Sequence, residues 1–502
     1  MKMKFLLTIL FLAGGFISEA QDKMLTKKQV QQDLAWVKKI LDENASYVYL
    51  NGYDFNPGFE NYLKSLDDSV RAEDFGLFLT ETIGKMGDRH SSVRGYEPDN
   101  SLFLPFHFAP ENGKVAVLYF NKNRRFEILN PRYPYLKKID GTDIDRFLQK
   151  ILPEEIRAPR EAYFTRAVME LRDIQKNYRL LNKTVPEKIE LTLSDATFQK
   201  DTVLVISPVD RSGKKFKWIE KFAMDYLGVK DEDYNKPEIA EALFSIKDSI
   251  AYVRIPVMVS REEAPLLFDR VNAFMKSIRH NSKALIMDVR SNGGGRRDLM
   301  YEFARYLVHP DSVYVVNAVK QRGPLPLPEQ YKENLNSRYL FPLSELDTRE
   351  QEAVRKFLKT FQPMYAPDNK KYSEYYFGLL NGKKLAEPSS YYNKPVYILA
   401  NESSFSAASV FVSVFKGIPN IRIAGVTTDG SSGNSEEFEL PHSKLRVKIS
   451  TMVSFQKDGK ILDGYGTEPD IRLERDLDQA LWKSDTQLEK LRRMIQNSGQ
   501  EK

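Results

Sequence analysis

The chain contains no cysteine in its 502 residues. Disulfide bonds, thiolate metal ligands, a cysteine nucleophile and a lipid anchor on cysteine are excluded together. The fold must therefore rest on its apolar core. Histidine is scarce as well. His90, His107, His280, His309 and His442 are the full set, with no close pair and no His-Glu-x-x-His spacing. That argues against a zinc site, and no acidic run has the form of a calcium loop, so no metal is expected. Basic residues do not cluster. Lys and Arg number 75 against 69 Asp and Glu, a net charge of +6 spread along the chain, so the footprint of a nucleic-acid-binding protein is missing. There is no internal repeat and no low-complexity tract. No cofactor is expected either. The one run of three glycines lacks both the Gly-Lys-Ser/Thr of a phosphate cradle and the spacing of a dinucleotide fingerprint.

What remains is an ordinary globular composition, 42% hydrophobic and 12% aromatic, in a length that suits about two to four domains. Lys2 and Lys4 precede an apolar run over 5–17, and Ser18-Glu19-Ala20 puts small residues where a signal peptidase reads. The pattern predicts a signal peptide over 1–20 and a secreted or periplasmic protein. The run is short for a bilayer span and no later segment is apolar enough, so no membrane span is expected after signal removal. Helical spacing of apolar residues marks 27–43 and 74–85, inside an N-terminal helical segment over 21–100. Strands over 114–119, 188–193 and 202–206, a strand–turn–helix at 136–144 and a helix over 154–181 outline a β-rich domain, 101–208. From residue 250 strands and helices alternate: a strand over 251–255, a helix over 262–278, a strand over 284–289, a helix over 298–307 and a strand over 313–319. Strands over 396–399, 421–424 and 445–452 follow. This predicts βαβ units in an α/β domain over 209–475. An insertion at about 324–394, rich in Pro, Tyr and charge with one clear helix over 348–361, reads as a lid or substrate-facing excursion. The C-terminal helical tail, 476–502, contains a stretch over 477–494 that reads as a solvated helix.

Three places carry residues suited to chemistry. In the first, a buried strand runs through Asn401-Glu402-Ser403-Ser404-Phe405-Ser406 into a helix that opens on Ala407-Ala408. A serine at such a junction has free backbone N–H groups and a partial positive charge beside it, which suits a nucleophile whose attack creates an oxyanion. The same serines are also good helix caps. In the second, Gly293-Gly294-Gly295 follows the strand Leu285-Ile286-Met287-Asp288-Val289. It is either an oxyanion-binding loop or a tight strand–helix turn. In the third, His90 stands in the polar loop Gly87-Asp88-Arg89-His90-Ser91, just past a helix end. A base can be held and stay accessible in such a loop. His107, within Pro105-Phe106-His107-Phe108, reads as a packed core residue.

The run from Leu285 through Gly295, the segment Ser404-Phe405-Ser406-Ala407-Ala408-Ser409 behind a Pro-Val-Tyr strand, and Gly464-Tyr465-Gly466-Thr467-Glu468-Pro469-Asp470 together resemble the carboxyl-terminal processing, or tail-specific, serine protease family over roughly 240–475. The resemblance implies a twisted α/β catalytic core of crotonase and Clp type. The segment around Ile139-Asp140-Gly141-Thr142-Asp143-Ile144 resembles the family's PDZ-like domain. It also implies that the nucleophile is Ser406. Typical members pair serine with a lysine in a Phe-Gly-Lys-Gly turn. The matching turn here is Thr428-Asp429-Gly430-Ser431-Ser432-Gly433, with Ser431, or a neighbour in that turn, in the lysine's place. The chain is instead similar to the branch of the tricorn core protease, which uses serine, histidine and a carboxylate. Its Gly-Asp-x-His-Ser/Thr turn corresponds to Gly87–His90–Ser91, which implies His90 as base. The carboxylate falls on Asp463, with Glu468 as the alternative. The resemblance further implies an oxyanion hole from Gly294, or Gly293, and Ala407, and a substrate that is a peptide or unfolded protein. Gly293, Gly295 and Arg296 then line the substrate side, where Arg296 and Arg297 are either solvated helix-end residues or partners for an acidic group. An inactive binding or scaffold protein on the same fold is the alternative function.

Overall fold

The computed structural model describes residues 23–96, 101–152, 158–210, 217–385 and 391–498. The signal peptide expected over 1–20 lies outside the described residues. The central sheet has six strands in the order Phe244–Lys247, Ile250–Arg254, Ala284–Asp288, Val396–Ala400, Ile421–Gly425 and Ile471–Arg472. The first pair is antiparallel and the remaining neighbours are parallel. Ala284–Asp288 is buried at every position, as a strand covered on both faces must be. Helices Pro265–Asn281, Asp298–Leu307 and Ala407–Phe415 cover one face through Phe268, Val271, Phe303 and Phe411.

The other face is closed by the tail. Helix Thr486–Asn497 turns Leu488, Leu491 and Ile495 onto Ile286, Leu399 and Ala424. The expectation of a solvated tail helix is therefore corrected. Residues 488, 491 and 495 form a helical stripe, and the charged residues between them take the outer face.

The insertion, expected as a lid or substrate-facing excursion, is in part built into the fold. Its strands Leu340–Pro342 and Tyr376–Asn381 join Val313–Gln321 and Met452–Phe455 in a second, four-stranded sheet, in the order Leu340–Pro342, Tyr376–Asn381, Val313–Gln321, Met452–Phe455. Strand Tyr376–Asn381 is buried throughout. Helix Thr348–Leu358 packs Val354 into the same cluster, and its start is fixed by reciprocal bonds between Asp347 and Glu350. The β-rich region forms a seven-stranded sheet whose main path is Asp201–Ile206, Ile189–Ser194, Tyr135–Ile139, Lys114–Phe120, His107–Glu111. The helix expected over 154–181 is, in its described part, two helices, Arg160–Glu170 and Ile174–Leu180, broken where Asp173 caps the second. Residues 153–157 lie outside the described residues. His107 is packed against Phe120 and Phe126.

Helices Lys27–Asn44, Asn56–Ser65 and Ala72–Gly84 do not form a separate body. They share a core with a three-stranded sheet, Ser435–Glu439, Arg446–Ser450 and Ser92–Arg94. A strand from the first hundred residues thus pairs with one more than 350 positions later, with Val93 opposite Val447. Among the described residues no helix is long and apolar enough to cross a membrane.

The burial of the tail helix can be tested. Leu491 is fully buried, so Leu491→Ala is expected to cost about 2–5 kcal/mol, read as a lowered midpoint in chemical denaturation.

Candidate active site

Two loops leave the C-terminal ends of the neighbouring parallel strands Ala284–Asp288 and Val396–Ala400, the position where sheets of this kind open a cleft. Asn401 ties them together. Its Oδ1 accepts the N–H of Ser291 at 2.7 Å and of Ser403 at 3.1 Å. Ser404 Oγ donates to the Val289 carbonyl at 2.9 Å, and the Phe405 N–H to the Asn292 carbonyl at 2.9 Å. Ser404 is thus used up in bracing the loops. Ser406 stands at the junction with φ 52° and ψ −123°, a backbone state that L residues rarely adopt. The turn lifts its side chain off the helix it precedes, and Ser406 makes no side-chain cap bond. Its N–H donates to Ser431 Oγ at 2.6 Å.

The hydroxyl of Ser406 meets His90, with Oγ 3.1 Å from Nε2. His90 is held by its neighbours. Asp88 Oδ1 accepts the N–H groups of His90 (2.9 Å) and Ser91 (2.7 Å) and the hydroxyl of Ser450 (2.7 Å), while Oδ2 accepts Ser91 Oγ at 2.6 Å. The imidazole also lies over the Phe405 ring, with centroids 4.9 Å apart. The next residues, Ser92–Arg94, are locked by the strand pairing described above. Arg89 forms a buried ion pair with Asp429 at 2.7 Å.

Asp463 is fully buried behind the histidine. Its Oδ2 accepts the Tyr47 hydroxyl at 2.9 Å and also the Ser432 hydroxyl, and its Oδ1 accepts the Ser432 N–H at 3.2 Å. Its Oδ1 is 4.0 Å from His90 Nδ1, beyond hydrogen-bond reach, and Nδ1 is buried without a partner. Burial, and then the charge of Asp88, push the Asp463 carboxyl up to about 7. Burial, then Lys448, Arg338 and Arg89, push the His90 imidazole down to about 3. The resting pair is accordingly a neutral imidazole beside a carboxyl that ionises near neutrality, not an ion pair. A neutral imidazole can take a proton from a hydroxyl. A carboxylate 4.0 Å behind it needs only a small closure to stabilise the imidazolium that results.

The structure brings Ser406, His90, Asp463, Gly294 and Ala407 into one place and leaves Glu468 exposed. The oxyanion assignment of Gly294 is corrected. Its N–H donates to Asn292 Oδ1 at 2.8 Å, so it is engaged. Gly294 packs directly under the nucleophile position instead: with φ +91°, a Cβ there would lie 2.6 Å from Ser406 Cβ. Gly293 is exposed, and its N–H has no partner among the described residues. Ala407 begins the helix and has no intrahelical acceptor. These two are the available donors. The substrate-binding assignment of Gly295 is corrected too. It bridges to Met258, whose carbonyl oxygen a Cβ would meet at 2.1 Å, so it serves close packing. Arg296 is exposed and anchored by its N–H on the Met258 carbonyl. Tyr47, Phe405 and Asp88 act on this site without having been singled out. Tyr47 follows a helix end among other tyrosines and carries no pattern. Asp88 was visible two residues before His90, in the spacing of a side chain that bonds its own turn. Among the described residues, no group of three or more His, Asp or Glu has a metal-binding arrangement.

Residues 249–473 match the model of peptidase family S41. No curated protein matches the chain by sequence. Solved structures match across nearly the whole length. Mature CPAF complexed with lactacystin is 17% identical, with 94% of this chain and 98% of that chain covered and a TM-score of 0.62. A mutant of CPAF is 16% identical, with 94% and 97% covered and a TM-score of 0.62. Mature CPAF is 15% identical, with 94% and 98% covered and a TM-score of 0.59. At such identities the likeness is one of fold.

Two outcomes test this geometry. Gly294→Ala is expected to keep the far-ultraviolet spectrum of the parent and to cut labelling by a serine-directed fluorophosphonate by about 100-fold, the cost of displacing a reacting group by about 1 Å. The second concerns pH. Asp463 is raised from 3.8 to about 7, so in that window the folded chain holds a proton that the unfolded chain has released, and stability falls as pH rises. His90 is lowered from 6.5 to about 3, so stability also falls as pH falls through that window, and the two slopes oppose each other below 6.5. Asp463→Asn removes only the first slope. From pH 5 to pH 7.5 the variant should gain stability relative to the parent, measured by chemical denaturation at each pH. A constant difference would mean that the buried carboxyl is already ionised at pH 5.

Proposed function

We propose that this serine peptidase, whose residues 249–473 match peptidase family S41, is an exported endopeptidase that cleaves peptides or unfolded proteins through an acyl-enzyme on Ser406, with His90 as the base and Asp463 as the acid behind it. The observation that carries the reading is the 3.1 Å approach of His90 Nε2 to the hydroxyl of Ser406, on a turn whose backbone strain lifts that hydroxyl clear of the helix. Export is supported by the basic, apolar and small-residue sequence over 1–20.

The chemistry follows from the atoms present. The Ser406 Oγ–H proton moves to His90 Nε2 as Oγ bonds to the carbonyl carbon of the scissile peptide. The oxyanion is held by the N–H groups of Gly293 and Ala407, at the positive end of helix Ala407–Phe415. The imidazolium returns its proton to the departing nitrogen as the C–N bond breaks, leaving an ester on Ser406. Water then attacks the ester, its proton passing to His90, and the carboxylic acid leaves as Ser406 Oγ recovers a proton. Ionised Asp463 stabilises each imidazolium. A base of lysine type has no support here, because Ser431 occupies that place and bonds the Ser406 N–H. The 4.0 Å gap between His90 Nδ1 and Asp463 is the one observation that favours the alternative, a non-catalytic binding protein on this fold.

Incubation with a fluorophosphonate should label Ser406 and no other serine, found by peptide mapping. Ser406→Ala should lower turnover of an unfolded protein by about 10⁴–10⁶-fold with the fold intact. An unlabelled parent protein that cleaves nothing would decide for the binding protein.

A further inference from the structure

The connection between strands Ile421–Gly425 and Ser435–Glu439 is buried at every residue from 427 to 434, yet it contains no helix or strand. Buried backbone of that kind must find its hydrogen bonds in its surroundings. Both ends of this turn are pinned. Thr428 Oγ1 accepts the Thr467 N–H at 2.9 Å, and the Asn434 carbonyl accepts the Thr451 N–H at 2.8 Å. Between them, the Asp429 N–H donates to the Ser404 carbonyl at 3.2 Å, and the Gly430 carbonyl accepts the Gly464 N–H at 2.7 Å. The turn is thus joined to the nucleophile's loop on one side and to the residue after Asp463 on the other.

Three consecutive residues of the turn each meet a different member of the site. Ser431 Oγ accepts the Ser406 N–H at 2.6 Å. Ser432 donates to Asp463 twice, its hydroxyl to Oδ2 and its N–H to Oδ1 at 3.2 Å. Gly433 lies against His90, where a Cβ would stand 3.9 Å from the His90 Cβ. The two hydroxyls act on different things. Ser406 has φ 52°, a state that persists only where the surroundings over-determine it. An N–H anchored on a pinned turn is one such determinant. At Asp463, the Ser432 and Tyr47 hydroxyls both take Oδ2, and Oδ1 is the oxygen that faces His90 Nδ1 at 4.0 Å. We propose that Ser431 and Ser432 are positioning residues with separate tasks: Ser431 holds the backbone of the nucleophile, and Ser432, together with Tyr47, holds Asp463 behind His90. The proposal rests on the peptidase reading of Ser406.

The tasks are separable because one is exerted on an uncharged N–H and the other on a titratable group. The titratable and charged groups that face Asp463 are Asp88, Tyr47 and His90, and those that act on His90 in turn are Lys448, Arg338 and Arg89. Burial and Asp88 oppose ionisation of Asp463, while the Ser432 hydroxyl, the Tyr47 hydroxyl and the Ser432 N–H favour it. Removing the Ser432 hydroxyl should therefore move that ionisation to higher pH. Removing the Ser431 hydroxyl should leave it where it is.

The test follows cleavage of a fluorogenic unfolded protein from about pH 5 to about pH 9, where the rising limb of kcat/KM reports the group that must ionise. Ser432→Ala should shift that limb to higher pH by about one unit, and Ser432→Thr, which keeps the hydroxyl, should return it. Ser431→Ala should lower kcat by about 10- to 100-fold at every pH, with KM and the limb unchanged. If Ser431→Ala does not fold, Ser431→Cys, close in size and a weak acceptor, makes the same comparison. A second readout needs no turnover. The infrared band of the protonated Asp463 carboxyl, identified by its loss in Asp463→Asn, should disappear at higher pH in Ser432→Ala than in the parent and at the parent's pH in Ser431→Ala. An equal loss of activity in both alanine variants with no shift of limb or band would overturn the proposal, as would activity within about twofold of the parent in Ser431→Ala. A parent protein that is neither labelled nor active would sink the peptidase reading, and the infrared titration would still decide whether Ser432 governs Asp463.

Discussion

The antiparallel pairing of Ser92–Arg94 with Arg446–Ser450 is the constraint on which the site depends. Three residues would not hold such a contact alone. They are reinforced by the Ser450 hydroxyl on Asp88, the Ser450 N–H on Ser91 Oγ at 3.0 Å, and the Ser46 N–H on the Ser450 carbonyl at 2.8 Å. Behind these bonds, Val93, Val447 and Ile449 share an apolar core with the N-terminal helices. Each polar bond here is worth about 1 kcal/mol net, and the apolar burial does most of the holding. What the bonds add is position. They fix the turn that carries His90 closely enough for one ring nitrogen to reach a serine on another part of the chain.

Burial then decides the electrostatics. Taking His90 and Asp463 out of water disfavours the charged form of each, and the surrounding cations and Asp88 push in the same directions. Tyr47 and Ser432 partly offset the cost for Asp463 by donating to it. The outcome is a neutral imidazole beside a carboxyl that ionises near neutrality. Arg338 belongs to the same electrostatic setting, since its charge acts on the imidazole.

Much of this was legible in the sequence because it is local. The buried strand before Gly293, the helix over 298–307, the serine-rich junction and the histidine turn each show themselves within a dozen residues. Long-range pairing was not legible. Tyr376–Asn381 becomes a central strand only because Val313–Gln321 lies beside it, so the insertion looked like a lid. The tail helix looked solvated because its apolar stripe is only three residues wide. Tyr47 carries no mark of its own; its hydroxyl matters because Asp463, 416 positions away, ends up beside it. Gly294 lies against Ser406, but whether its N–H is free depends on Asn292, whose Oδ1 accepts it at 2.8 Å.

The separation of His90 from Ser406 by 316 positions has a consequence for the life of the chain. During synthesis from the N-terminus, the histidine is made early and waits without a partner. The strand that orients it, Arg446–Ser450, and the carboxyl of Asp463 are among the last parts of the core to emerge. No shorter nascent chain can assemble the constellation. The order of synthesis therefore delays the meeting of His90 with Ser406 until nearly the whole core has been made.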